Sequence, residues 1–426
     1  MSVLKNNIGV DGDRLWQSLM AMAEIGPGVA GGNNRQALTD GDSTARHLFK
    51  NWCQNEGLHM SLDDMGNMFA RRHGTDADAL PIMIGSHLDT QGTGGKYDGV
   101  LGVMAGLEII RSLNESGIQT RHPIEIVNWS NEEGCRFSPP MIASGVFAGA
   151  YDLEWAYART DADGLSFGSE LKRIGWAGDE ITGQHPLRAY FELHIEQGPI
   201  LEGAGIPIGV VTHGQGLLWT KITLIGKESH SGSTPMDHRA NAGLGMARII
   251  TLVDNIAHSY APNARGTVGS CEIFPNAVNV IPGKAIFTVD LRNPDPEKLI
   301  AMKNDLRRKA RAIADEIGLE ISFDELSNVP PIVFDSECVE HLRDAAMALN
   351  YEHLDIVSGA GHDAFWISKV APSAMLMCPC VAGLSHNEAE EILPEWAKAS
   401  TDVLYHAVLT MAGVVNGATA SIGDIA

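Results

Sequence analysis

The chain has 426 residues, too many for one ordinary core, so two domains are expected. Apolar residues make up 44% and charged residues 20%, which is globular composition. The 31 basic and 53 acidic side chains leave a formal charge of −22, which argues against nucleic acid or an anionic membrane as partner, because both need a basic surface.

Met1 to Asp13 lacks the apolar core of a signal peptide, and no apolar run in the chain is long enough to span a bilayer. Between Asp13 and Ile25, Leu15, Trp16, Leu19, Met20 and Met22 recur at helical spacing, and a Gly/Asn loop follows. A second helix is expected over Asp42–Glu56. Its buried face is Ala45, Leu48, Phe49, Trp52 and Cys53, its caps are Asp42, Ser43 or Thr44, and Gly57 is its stop. His59 to Arg72 reads as a strand pair turning at Met65-Gly66-Asn67. The apolar run Leu80 to Ile84 reads as a buried strand. It opens into Gly85-Ser86-His87-Leu88-Asp89-Thr90, then a glycine-rich loop and Tyr97-Asp98-Gly99, before a helix that begins at Val100. His87 thus falls where a core strand ends and Asp98 just before a helix begins, the edge at which open α/β sheets bind ligands. Imidazole and carboxylate at that edge suit a divalent metal. Taken alone, a His after a strand is more often a hydrogen-bonded structural residue than a ligand.

Pro123 to Trp129 reads as another buried strand, ending in Ser130-Asn131-Glu132-Glu133-Gly134. One Glu can ligate a metal while its neighbour handles protons, the division of labour that metal-assisted hydrolysis needs. Tyr151 to His185 carries few chemical cues. From Tyr190 to Pro199, Phe191, Leu193 and Ile195 alternate with Glu192, His194 and Glu196, a strand with His194 near its end.

From His213 the character changes. Strands are expected at Trp219–Ile225, Thr267–Phe274, Lys284–Arg292 and Glu320–Asp324. Helices are expected at Asn241–His258 and from Asp295-Pro296 to Ile317, and a loop of small residues carries His230. These elements make a compact α+β unit of ordinary domain size, inserted over residues 213–328. Residues 1–212 and 329–426 then form one α/β domain. In its second part a helix is expected over Glu337–Leu349, a loop over Ser358–Ala364 and a strand over Pro372–Met377. His386 follows that strand, and a last helix spans Trp396–Met411. The six cysteines (Cys53, Cys135, Cys271, Cys338, Cys378, Cys380) show neither metal-knuckle nor disulfide-framework spacing and are read as reduced thiols of a cytoplasmic protein.

The candidate ligands are therefore His87, Asp98, Glu132 or Glu133, His194 and His386, scattered in sequence but all at strand ends of the first domain. Three imidazoles and two carboxylates suit a two-metal hydrolytic site. His213, His238 and His258 are read as surface or packing residues.

Taken together, Gly85-Ser86-His87-Leu88-Asp89-Thr90, Gly95-Lys96-Tyr97-Asp98-Gly99, Asn131-Glu132-Glu133-Gly134, His194-Ile195-Glu196-Gln197-Gly198-Pro199, Pro275 to Gly283, Gly359-Ala360-Gly361-His362-Asp363 and Gly383-Leu384-Ser385-His386-Asn387 resemble the hydantoinase/carbamoylase family, in the family's order and over nearly the whole chain. That family is related to the aminoacylase and carboxypeptidase G metallopeptidases. The resemblance implies a mixed-sheet α/β catalytic domain with an inserted smaller α+β lid and dimerisation domain, and a homodimer. It implies two divalent metal ions, zinc first, with Mn, Co or Ni as other candidates. His87, Asp98 and His194 would hold one ion, and Asp98, Glu133 and His386 the other, with Asp98 bridging and Glu132 as general base. His230, Asn279, Arg292 and Gln197 would contact substrate or the developing oxyanion. Each also has a structural reading: Arg292 can face Asp290, Asn279 can be a turn residue, and His230 can cap the next segment. His362 is either a residue behind the ligands or a buried loop histidine. The implied reaction is cleavage of an N-carbamoyl amino acid, either N-carbamoyl-L-amino acid or N-carbamoyl-β-alanine, to the amino acid, carbon dioxide and ammonia. Allantoate amidohydrolysis, an aminoacylase or peptidase activity, and a non-catalytic binding protein on the same scaffold are the alternatives.

Overall fold

A computed structural model describes residues 9–415, so most of the Met1–Asp13 stretch lies outside the described residues. The chain divides into two compact units, one running up to Thr212 and again from Phe334, the other spanning His213–Val333.

In chain order the strands are β1 (His59–Leu62), β2 (Met68–Arg72), β3 (Ile82–His87), β4 (Ile124–Trp129), β5 (Ala189–Ile195), β6 (Ile208–Gly214), β7 (Gly216–Ile225), β8 (Ser229–His230), β9 (Arg265–Phe274), β10 (Val280–Ile281), β11 (Lys284–Asn293), β12 (Glu320–Val329), β13 (Ile332–Val333), β14 (His353–Ser358) and β15 (Ser373–Cys378). The larger sheet is mixed, with order β1-β2-β4-β3-β5-β15-β6-β13, and β14 also pairs with β6. Its centre, β4-β3-β5-β15, is parallel throughout. Every residue of these four strands is buried. That is why they read as continuous apolar runs rather than alternating ones. The helix Val100–Glu115 packs on β3, β4 and β5, and the helix Pro394–Ala412 packs on β15, β5 and β3.

The inserted unit is a four-stranded antiparallel sheet, β12-β7-β11-β9. Its strands do alternate. Leu218, Ile222 and Leu224 of β7 and Ala285, Phe287, Val289 and Leu291 of β11 share a core with Met246, Ile249 and Val253 of one helix and Leu299, Met302 and Leu306 of another. Those helices are Ala242–Ser259, capped by Asn241, and Pro296–Ile317, capped by Asp295 with proline in its first turn.

Several local expectations needed correction. The second helix starts at Asp40, and its cap is Thr39, whose side chain accepts from the Asp42 N–H. Asp42 instead turns inward, accepting from the Leu38 N–H and pairing with Arg46 at 3.0 Å. Strand β12 runs to Val329 rather than Asp324, because its pairing with β7 resumes after a bulge between Glu325 and Ser327. The expected domain edge at 328 therefore falls inside a strand. The loop at Ser358–Ala364 leads into a short helix, Asp363–Ile367, and β14 was not expected.

Candidate metal centre

Four parallel neighbours ending at one sheet edge bring distant residues together. His87 is the last residue of β3, in register with Trp129, the last of β4. Glu132 and Glu133 follow three and four residues after Trp129. His194 is next to last in β5, in register with Met377 of β15, and His386 lies beyond the end of β15. Asp98 enters from the loop between β3 and the helix at Val100. The result is two groups that share Asp98: His87, Asp98 and His194, and Asp98, Glu133 and His386. Within each, one potential ligand atom per residue lies within 4.8 Å of the others.

The backbone sets the imidazole orientations. His87 Nδ1 lies 2.8 Å from the Asp89 carbonyl, and His194 Nδ1 lies 2.9 Å from the Ile195 carbonyl. A carbonyl only accepts, so each Nδ1 carries a proton, and each ring in its neutral form presents an Nε2 lone pair. Both lone pairs face Asp98 Oδ1, at 3.6 and 3.0 Å. His87 Nε2 is buried and has no hydrogen-bond partner among the described residues. Two lone pairs and a carboxylate oxygen turned toward one point call for a cation there. Gly99 keeps that point open: its φ is 67°, and a Cβ there would lie 2.2 Å from His87 Nε2. The donor set fits a divalent ion, and imidazole with carboxylate suits Zn, Mn, Co or Ni.

The second group is held differently. Gln91 grips both Glu133 oxygens, from its backbone N–H at 3.0 Å and its side-chain amide at 2.6 Å. His386 Nε2 lies 3.5 Å from Asp98 Oδ2 and 3.4 Å from Glu133 Oε2. Its side chain is 52% exposed, and its backbone is left-handed, with φ 53°. Glu132 belongs to neither group, yet its Oε2 is 3.5 Å from His87 Nε2. The loop bearing His386 is tied to the amino-terminal loop: the Glu388 carboxylate accepts the N–H groups of Ala30 and Gly32. Successive backbone N–H groups aimed at one carboxylate form an anion-binding nest.

The electrostatics match a site that wants positive charge. Burial, reinforced by neighbouring carboxylates, pushes the Glu132 and Glu133 carboxyls well above the usual range. Burial also opposes ionisation of Asp98, but in their protonated forms His194 and His87 outweigh it and hold that carboxyl well below the usual range, and a cation bound there would take the place of their Nε2 protons. A bound divalent ion would draw a ligating Glu133 back to its ionised form.

Gln197, expected at the substrate, lies against the ligand set. Its amide nitrogen is 2.8 Å from Asp98 Oδ2 and 3.2 Å from Ser385 Oγ. In the inserted unit, His230 and Asn279 are exposed neighbours, joined by the Ser231 N–H donating to the Asn279 carbonyl at 3.0 Å. His230 Nδ1 accepts from the N–H groups of Gly232 and Ser233, both at 3.1 Å, so its proton sits on Nε2. Arg292 reaches Asp290, with Nη2 2.9 Å from Oδ2. His362 is buried with its ring 4.4 Å from that of His194, and its Nε2 lies 2.9 Å from Ser358 Oγ. His238 and His258 are exposed.

Two residues that the motifs contain were given no role. Asp89 accepts from the N–H groups of Glu132 and Glu133, at 3.2 and 3.3 Å, so it ties the loop after β3 to the loop after β4. Ser385, beside His386, reaches Asp98 Oδ2 at 2.9 Å. Their signal was adjacency to a ligand, which by itself does not separate a positioning residue from a loop residue.

Known proteins carry the same organisation. The description of peptidase family M20/M25/M40 matches residues 75–410. An N-carbamoyl-L-amino-acid amidohydrolase of Rhizobium meliloti is 58% identical over 97% of this chain and 100% of its own length. One of Geobacillus stearothermophilus is 35% identical over 95% and 99%. The crystal structure of an amidase of the hydantoinase/carbamoylase family from Burkholderia multivorans, 52% identical, superposes with a TM-score of 0.92 over 95% of this chain and 98% of its own. With a shared fold, near-complete coverage and a donor set built for divalent ions, the chain belongs to peptidase family M20/M25/M40, among its metal-dependent hydantoinase/carbamoylase amidases.

Proposed function

We propose that the protein hydrolyses N-carbamoyl-L-amino acids to the amino acid, carbon dioxide and ammonia. The observation that carries this reading is Glu132: a buried carboxylate outside both ligand groups but 3.5 Å from His87 Nε2, in a chain 58% identical to a protein named for that reaction. N-Carbamoyl-β-alanine differs by one methylene between the ureido and carboxylate groups and is the nearest other substrate.

His87, Asp98 and His194 would hold one divalent ion, and Asp98, Glu133 and His386 the second; we favour zinc, with Mn, Co or Ni accepted by the same donors. Such a pair supplies Lewis acidity and eases deprotonation of water. Glu132 takes the proton of the attacking water and passes it to the departing nitrogen. A ureido carbonyl is unreactive because two nitrogens donate into it, so its developing oxyanion needs a preorganised donor. His230 is suited to that role, because its proton is on Nε2. Arg292 offers a fork for the substrate carboxylate, with Asn279 and Gln197 as further polar contacts. Asp290 already engages Arg292, which holds the guanidinium in one orientation.

For the inserted unit we propose the roles of lid and dimerisation domain. Support comes from Trp219 and Ile225, which are exposed on β7 opposite its helix-covered face. Six free cysteines support a reducing, cytoplasmic setting. The test is ammonia release from N-carbamoyl-L-amino acids, N-carbamoyl-β-alanine and allantoate, with and without chelator. Turnover of N-carbamoyl-L-amino acids that chelator abolishes and added metal restores is expected. Exclusive turnover of allantoate would replace the assignment, as would no ammonia release together with amino-acid release from N-acyl amino acids or dipeptides.

A further inference from the structure

The loop that carries His386 meets the loop that carries Asp98 through one buried carboxylate. Glu390 Oε1 accepts the backbone N–H groups of Tyr97 and Asp98, each at 3.1 Å. Its Oε2 lies 3.1 Å from Ser385 Oγ, and that hydroxyl lies 2.9 Å from Asp98 Oδ2. Gly95 lies against the carboxyl: a Cβ there would be 2.0 Å from the Glu390 carboxyl carbon. A side chain at 95 and the Glu390 carboxylate thus exclude one another. Glu390 therefore fixes the peptide N–H of the residue shared by both ligand groups. Through Ser385 it also reaches that residue's Oδ2 and the residue before His386.

His386 depends on such support. His87 and His194 sit on buried strands with each Nδ1 held by a backbone carbonyl. His386 sits on a loop whose Leu384 and Asn387 are exposed as it is. Its distance to Asp98 is set by whatever ties the two loops together. Glu390 does so from outside both ligand groups.

We propose that Glu390 is a positioning residue for the second ion: it holds Asp98 and the His386 loop in register and so sets that ion's affinity without ligating it. The proposal rests on reading Asp98, Glu133 and His386 as ligands. Partners behind metal ligands typically change affinity about 10–100-fold. The hydrogen bonds also specify which substitution restores the register. In Glu390→Gln the amide oxygen can accept the two N–H groups while the amide nitrogen donates to Ser385 Oγ, which leaves the single Ser385 proton for Asp98. Glu390→Ala does neither.

The test is a Mn²⁺ titration of the chelator-stripped full chain, with free Mn²⁺ read by electron paramagnetic resonance and the melting temperature of each stripped protein recorded alongside. Wild type should bind two ions. Glu390→Ala should weaken the second by about 10–100-fold and leave the first near its wild-type value, while the stripped melting temperature falls because the Tyr97 and Asp98 N–H groups lose their acceptor. Glu390→Gln should restore the second. Gly95→Ala, which displaces the carboxylate without removing it, should weaken the second ion as Glu390→Ala does, and Ser385→Ala should do so less; these two carry the test if Glu390→Ala does not fold. Unchanged second-ion affinity in Glu390→Ala would overturn the proposal. So would equal weakening of both ions with no recovery in Glu390→Gln, the result of a purely structural role. A wild-type chain that binds no ion would overturn the ligand reading itself, and the proposal with it.

Discussion

The two halves of the centre use similar donors and share Asp98, yet the fold holds them in different ways. His87 and His194 stand on buried parallel strands, and a backbone carbonyl fixes each ring. On the other side, Glu133 is gripped by Gln91, while His386 rides an exposed loop with a left-handed backbone. Strands give precision without further help; a loop ligand needs partners behind it. The strand-built half should therefore bind its ion more tightly, and the loop-built half should be the one that exchanges.

The most severe challenge to that contrast is Glu132→Gln. It should leave both halves loaded while lowering kcat by about 10²–10⁴-fold, with metal content measured on the same samples. Activity near wild type would show that proton transfer belongs to another group. Next in size are His87→Ala and His386→Ala, compared by metal stoichiometry after dialysis. His386→Ala should retain one tightly bound ion, whereas His87→Ala should weaken the strand-built half itself. Identical losses would erase the distinction between the halves.

The smallest effect comes from a third imidazole. His185 meets Glu125 at 2.7 Å and Glu180 at 3.0 Å, one through each ring nitrogen, and stacks on Phe69. Both nitrogens then donate, so this cluster carries its own proton and leaves no lone pair for a metal. Burial works against that charge, but the two carboxylates outweigh it and raise the His185 pKa above 6.5. The stabilisation is complete below about pH 6.5, the unfolded value, and is lost as pH rises through the higher folded value. His185→Gln should therefore lower the melting temperature at pH 6 by about 2–4 °C, and by progressively less as the pH is raised above about 6.5. A gap that does not shrink with pH would mean that packing on Phe69, rather than charge, accounts for the loss.

Much of the centre was legible because of where its ligands lie. Buried parallel strands write themselves as apolar runs, so the ends at His87, Trp129, Ile195 and Cys378 could be read within a few residues, and polar motifs beyond them stood out. Helices with strong caps, such as the one opened by Asp295-Pro296, were equally plain. What was not legible depends on contacts between segments. Nothing local in Asp89 says that it accepts the N–H groups of Glu132 and Glu133, and Gln197 reads the same whether its amide meets substrate or Asp98. Strand β12 was cut short because its second half, Glu325 to Val329, is mostly polar and partly or fully exposed.

The nest around Glu388 has a consequence for any trimmed version of this enzyme. Its walls are glycines: a Cβ at Gly28 would lie 2.3 Å from Glu388 Oε2, and one at Gly32 would lie 2.2 Å from the Gly94 carbonyl. A segment more than fifty residues upstream of His87 thus clasps the far side of the centre from the amino end. A fragment cut to residues 75–410, the span that carries the family description, would keep every proposed ligand and still lose the clasp beneath His386.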